Sequence, residues 1–327
     1  MRYLALISVL IASPVLAGVD EVVDTHILPR FQTFADAGAA LATAADADCT
    51  ATAVRPAYQA AFDAWMGVSH LHFGPLEDNG RTLAIAFWPD TRGLVAKTVG
   101  NMVTEQDPAA RDPEAFSDVS VAGRGFFALE RLLFEPDLSD YATSGYRCAY
   151  VQALASDLAR SGAALNAAWE AYATVLKTAG EPGNTDYLTA QEASQRLYTA
   201  LLAGLEFTEE TRLGRPLGTF DRPRPNRAEA RRSGRSLQNV ILSLDALREL
   251  ARTLANQSIP VTEEAFETAL SQARDLNDPD LSSVENPMGR LKVEVLAQSV
   301  GFVRDAVEGE IGERLGLTEG FNSLDGD

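Results

Sequence analysis

The sequence predicts an all-α protein built as two four-helix-bundle-like halves. Three observations predict it. Apolar residues recur at spacings of three and four along most of the chain, and no stretch sustains a period of two between hairpin turns. The periodic stretches stop at breakers: Gly74-Pro75, Glu135-Pro136, the cluster from Gly180 to Gly183, and Asn286-Pro287. The connections that remain are short, and short loops between long amphipathic helices make antiparallel bundles.

Taken in order, residues 1–17 carry one cation, Arg2, and an apolar run from Leu4 to Leu16, with small or aliphatic residues before Ala17 and Gly18. That is the pattern of a signal peptide cut near Ala17/Gly18, too short and too weakly flanked for a spanning helix. It predicts a periplasmic mature protein without a membrane span. Helical periodicity then covers residues 20–45 and 52–73, the second with Tyr58, Phe62, Trp65 and Met66 along one stripe. A shorter helix is expected over 94–105, with Asp90 and Thr91 placed to cap its start near Arg92. Further helices are expected over 121–134, 146–177, 189–212, 227–256, 262–273 and 288–315. Thr262 reads as an N-cap, with Glu263 and Glu264 in the first turn, where the helix dipole favours anions.

A faint repeat suggests how these helices group. The F-G-P-L at 73–76 and the G-R-P-L at 214–217 each close a helix, and Gly93 and Gly234 each open the next one after a nearby arginine. The offset is about 140 residues, so the chain reads as two duplicated bundle units, 18–145 and 146–327, with the breaker cluster at 180–186 as the alternative boundary.

Composition narrows the function. With 28 Lys and Arg against 46 Asp and Glu, the net charge is −18, which excludes the basic face that nucleic-acid binders need and disfavours anionic lipid. Cys49 and Cys148 are the two cysteines, and an even pair in an exported protein predicts a disulfide. Closing a loop of about 100 residues contributes up to about 4.7 kcal/mol in chain-entropy models.

The stretch G-R-G-F-F-A-L-E-R-L-L-F at 123–134 holds the main chemical anomaly. On a helix, Glu130 sits among Phe126, Phe127, Leu133 and Phe134, at the three and four spacings whose side chains touch its own. A carboxylate stripped of water costs several kcal/mol unless it is paired, binds a cation or takes up a proton. Either Glu130 belongs to a site at a bundle interface, or it forms a structural ion pair with Arg124 or an arginine of 231–235. Two polar stretches could meet it. One is Arg81 to Gly93, with Trp88, Asp90 and Arg92; the other is Arg227 to Asn239, with Arg232, Ser233 and Arg235. An arginine fork suits a carboxylate better than lysine does. His70 and His72 are the candidate metal ligands. Two apart on a helix, they point about 200° from one another, and both turn inward only if the helix unwinds before Gly74. Zinc-protease, phosphate-loop, hydrolase-elbow and haem-attachment motifs are absent.

Several pieces together resemble the imelysin family. Gly125-Phe-Phe-Ala-Leu-Glu130 resembles its G-x-H-x-x-E motif, Phe87-Trp88-Pro89-Asp90 its earlier segment, Arg232 to Leu237 its later one, and Leu315 to Asp327 its ending. The resemblance implies an exported helical protein of two bundle-like halves, a site at their junction and a link to bacterial iron uptake. Some relatives are described as metallopeptidases with the motif His and Glu as metal ligands. Carried over, the motif gives Gly125, Phe127 and Glu130, and Phe127 stands where the family has His. A phenyl ring neither ligates a metal nor moves a proton, so peptidase chemistry loses its basis. The expectation is a binding or accessory component of iron- or haem-linked uptake, taking iron or another divalent metal, or docking on an iron-uptake or redox protein of the periplasm or outer membrane. The alternatives are a metallopeptidase and a non-catalytic interaction module for a redox partner.

Overall fold

The structure is a computed structural model and describes residues 18–317; the expected leader at 1–17 and most of the C-terminal ending lie outside the described residues. Its regular elements are helical, and an isolated bridge between Thr219 and Arg222 is the single β-type pairing among the described residues. The first helix, α1, runs through Val19–Glu21, a π-helical stretch Val22–Ile27 and Leu28–Ala47. Then come α2 (Ala51–Met66), α3 (Leu94–Glu105), α4 (Gly125–Phe134) and α5 (Tyr146–Lys177). The second set is α6 (Ala190–Glu206), continued by a π-helical stretch Phe207–Leu213, then α7 (Ser236–Ala255), α8 (Pro260–Leu276) and α9 (Pro287–Val307).

Small residues fix the closest helix pair. α1 and α5 run antiparallel at nearly backbone contact, because a Cβ on Gly38 would lie 3.2 Å from the Ala159 Cα and one on Gly162 would lie 3.2 Å from the Ala35 Cα. Phe31 stacks on Trp169 within the same seam at 4.9 Å. The disulfide Cys49–Cys148 joins the end of α1 to the start of α5. The predicted stripe of α2 is buried and meets α4 through Phe62 and Phe126, stacked at 4.5 Å. α4 ends where the sequence says it should. Arg55 donates twice to the Leu133 carbonyl, which the helix cannot satisfy itself, and its guanidinium lies over the Phe134 ring. Helices α6 to α9 pack on one another, and the π-helical start of α1 reaches across to α7.

Three local expectations fail. The second helix stops at Met66, not Phe73, because the Ala64 and Trp65 carbonyls take the amides of Gly67, Val68 and Ser69 in a tight turn. The helix expected from Arg227 begins at Ser236. Ala230 and Gly234 both have positive φ, 46° and 67°, so the chain reverses through a short 3-10 turn, Arg231–Ser233, before α7 starts. Thr262 is not a cap: α8 opens at Pro260, and the Thr262 amide, inside the first turn, donates to Glu310 at 2.8 Å. Periodicity found the helices in each case and missed what sets their ends: a tight turn after Met66, left-handed residues at Ala230 and Gly234, and an early start at Pro260.

Candidate functional site

Glu130 is carried inward by α4, whose start depends on Gly125. At φ 68°, a Cβ there would fall 2.2 Å from the Ile85 carbonyl oxygen and 2.4 Å from that of Ala84. The bare backbone lets α4 begin against the 84–85 segment and aims its third and sixth residues, Phe127 and Glu130, toward the second set of helices. Glu130 is 1 % exposed. Its Oε1 accepts the Ser233 amide at 3.0 Å and the Ser233 hydroxyl at 2.8 Å. The 3-10 turn at residues 231–233 presents both the Ser233 amide and its hydroxyl to the carboxylate. Burial pushes the Glu130 carboxyl above its ordinary value, against the pull of the Ser233 hydrogen bonds and of Arg232 and Arg231.

The second carboxylate oxygen is less committed, lying 4.0 Å from Arg232 Nη1. Glu130 lines a cavity of about 180 Å³ with Phe127, Trp88, Asp90 and four arginines, Arg131, Arg215, Arg227 and Arg232. Arg131 is paired with Glu135 at 2.6 Å. Arg215 and Arg227 have no acidic partner among the described residues, the Arg215 Nε is buried without a hydrogen bond, and the neighbouring charge of Arg227 adds to burial in lowering the Arg215 pKa. A chain with net charge −18 therefore has a cavity where guanidiniums outnumber carboxylates.

The other expected residues divide. Asp90 caps as predicted, its carboxylate taking the amides of Arg92, Leu94 and Val95 at the start of α3, and it remains in the cavity wall. Trp88, in a cis bond to Pro89, is shared with a second cavity. Arg124 turns away to grip Asp157 of α5 through two hydrogen bonds of 3.0 Å, so it does not pair with Glu130. Arg235 leaves the cavity for Asp63 at 2.7 Å and stacks over Phe62. Arg81 donates to the Pro75 carbonyl and lines neither cavity.

His70 and His72 lie in the second cavity, of about 100 Å³, because the helix does unwind ahead of Gly74. They do not act together: His72 is exposed, whereas His70 is 6 % exposed and bonds to His26 through their Nε2 atoms at 2.9 Å. The same cavity holds a buried ion pair, Arg212 to Glu229 at 2.8 Å. Sequence reading assigned no role to His26, Glu229 or Arg212. Their partners are 17 and 44 residues away, and no local spacing marks such contacts.

A metal site of the kind the motif implies does not fit these residues. The motif histidine is Phe127, one Glu130 oxygen already holds two donors, and the cavity is arginine-rich. Among the described residues no three His, Cys, Asp or Glu side chains converge as a cation site.

Fold and site define a helical-bundle protein with a buried acid–arginine cavity between two sets of helices. Residues 27–302 match the Imelysin family, and the chain belongs to it. It is 26% identical to iron-regulated protein A of Synechococcus elongatus over 88% of this chain and 83% of that protein. Solved structures share the fold. An imelysin-like protein from Psychrobacter arcticum superposes with a TM-score of 0.71 at 18% identity, covering 93% of this chain and 96% of that one. A structure described as an iron-regulated protein A precursor from Parabacteroides distasonis gives 0.70 at 13% identity, covering 90% and 94%. No helix among the described residues is long and apolar enough to cross a membrane.

Proposed function

We propose that this protein is an exported, non-catalytic binding component of iron- or haem-linked uptake, and that its ligand presents carboxylates to the Glu130 cavity. The observation that carries the reading is the charge of that cavity: Arg215 and Arg227 without acidic partners, beside Arg232 and a Glu130 already held by Ser233. A bare divalent cation meets repulsion there, whereas a carboxylate finds planar forks. Iron as a small polycarboxylate chelate, or the propionate arm of a haem, has that chemistry; about 180 Å³ holds the former whole and the latter only by its arm. Export is supported by the leader-like residues 1–17, the Cys49–Cys148 bridge and a structural relative described as a precursor. The link to iron is supported by the names of the relatives. We place the boundary between the halves in the connection from residue 178 to 189, because α5 lies along α1 and α4 rather than along α6 to α9.

Calorimetry on the mature protein with ferric citrate, citrate, haemin and ferrous ion tests this. Ferric citrate or haemin should bind, ferrous ion alone should not, and Arg215→Ala should weaken binding by about tenfold, the worth of one charged hydrogen bond. Binding of bare ferrous ion in preference to either complex, or chelator-sensitive cleavage of a protein substrate, would overturn the reading.

A further inference from the structure

α9 packs one side against α8 and α6. Val293, Leu296, Val300, Val303 and Val307 are buried there. Its other side is apolar too, which a surface helix ordinarily avoids. Met288, Leu291, Val295 and Phe302 are between 41 % and 66 % exposed, four of the nine large apolar side chains left exposed among the described residues. Their spacing marks them. Steps of three, four and seven residues, with exposed Gln298 filling the gap, make a line of a and d positions, the seam of a helix pair. Phe220, the most exposed of the nine at 82 %, stands beside the first turns of the same helix. Arg290 holds it there, donating to the Leu217 and Thr219 carbonyls with its guanidinium 5.8 Å from the Phe220 ring.

The polar groups along this seam say what covers it. A two-fold interface sets one patch against itself, so the patch must be self-complementary. The charges of α9 run in order: exposed Lys292 near its start, exposed Asp305 and half-buried Glu308 near its end. Exposed Arg222, on the turn that carries Phe220, adds to the basic end. An antiparallel pair lays the basic end of one helix beside the acidic end of the other, whereas a parallel pair sets Lys292 on Lys292. The middle of the seam carries no charge. Its polar member is the Gln298 amide, which donates and accepts and so can bond to its own image.

We propose that α9 is the interface of a homodimer, in which a second copy of the chain lies antiparallel along the seam with the two-fold axis between Val295 and Gln298. Leu291 of each copy then meets Phe302 of the other, and Val295 meets Gln298. The net charge of −18 opposes association at long range, but salt at about 0.15 M cuts the reach of that repulsion to about 8 Å, so the contacts in the seam decide. The interface lies one loop away from the Glu130 cavity: the loop that carries Phe220 has Arg215 at one end and Arg227 at the other, both in the cavity wall.

Sedimentation equilibrium of the mature chain at about 1–100 µM, in about 0.15 M salt, tests this. The wild type should dimerise within that range. Val295→Glu and Gln298→Lys each set like charges together near the axis and should raise the dissociation constant about a hundredfold or more. Both positions are exposed, so the changes leave the fold of the monomer alone. Oxidation should link two copies through Gln298→Cys and not through Met288→Cys, whose thiols stand about 25 Å apart in an antiparallel pair. A chain that stays monomeric throughout, or that stays monomeric and instead pellets with phosphatidylglycerol vesicles, would overturn the proposal. So would a dimer untouched by Val295→Glu, or one linked through Met288→Cys.

Discussion

The two cavities on either side of Trp88 each border a buried group that burial drives toward its neutral form, Glu130 in one and His70 in the other, and they surround it in different ways. Glu130 is fed by donors from another set of helices and ringed by arginines, so its charge is partly answered. His70 is answered on one nitrogen by a neutral His26 and is buried without a hydrogen-bond partner on the other, beside Trp65, Phe73 and Phe207. Burial pushes the acid up and the base down, both toward the neutral form. The difference is what surrounds them: guanidiniums beside Glu130, and a second imidazole with aromatic rings beside His70. The comparison teaches that a buried polar group marks a site only through what remains unsatisfied beside it.

The largest expected effect concerns an ion pair that closes on itself. Arg212→Met leaves Glu229 buried and unpaired, and should lower unfolding free energy by about 3–5 kcal/mol in urea titrations. A loss under about 1 kcal/mol would mean that the pair is solvated and that the second cavity is not dry.

Glu130→Ala comes next. It strands the Ser233 amide and empties space in the core, so a loss of about 2–3 kcal/mol is expected, with Glu130→Gln retaining an acceptor and losing less. If Gln and Ala cost the same, the hydrogen bonds to Ser233 contribute nothing.

The pH dependence separates the cavities by sign. His26 and His70 titrate below 6.5 when folded, so on acidification the unfolded chain takes up protons first. Their contribution is full above about pH 6.5 and is lost as pH falls below it, by at most about 1.4 kcal/mol per unit for each group. Glu130 titrates above 4.5 when folded, so its proton binds first in the native state. Its contribution is present at low pH and is lost as pH rises through the raised pKa. His70→Gln should therefore make the acid loss of stability shallower and Glu130→Gln should make it steeper, measured as urea midpoints from pH 7 to pH 5. Identical slopes in the two variants would erase the contrast.

The smallest effect belongs to Arg232→Ala. The guanidinium is 30% exposed and 4.0 Å from Glu130, so its removal should cost less than about 1 kcal/mol of stability. A larger loss would make this contact a buried ion pair and weaken the case for a carboxylate-binding cavity.

Much of the fold was legible before any coordinates. The helix at 146–177 was bounded correctly at both ends, the stripe of Tyr58, Phe62, Trp65 and Met66 is buried, and the two cysteines are bridged. Glu130 was legible as a group needing a partner, because four large apolar neighbours at helical spacing leave it no water. Its partner was not. Ser233 lies 103 residues away in a stretch whose periodicity reads as helix, where left-handed Ala230 and Gly234 instead make a turn that reaches the carboxylate. Arg124 and Arg235 were equally plausible partners in sequence and are claimed instead by Asp157 and Asp63.

What the sequence by itself determined is therefore the local part: which segments coil, where glycine and proline end them, which faces must be dry, and that one acid is buried among phenyl rings. What only the tertiary structure decided is the pairing. It joined Glu130 to Ser233, His26 to His70 and Arg212 to Glu229, and it left Arg215 and the second His70 nitrogen without partners. The physical reason is range. Helix propensity and apolar periodicity act over a few residues, whereas hydrogen bonds and charges in a dry interior are satisfied by whatever the packed helices bring within about 3 Å, at any distance along the chain.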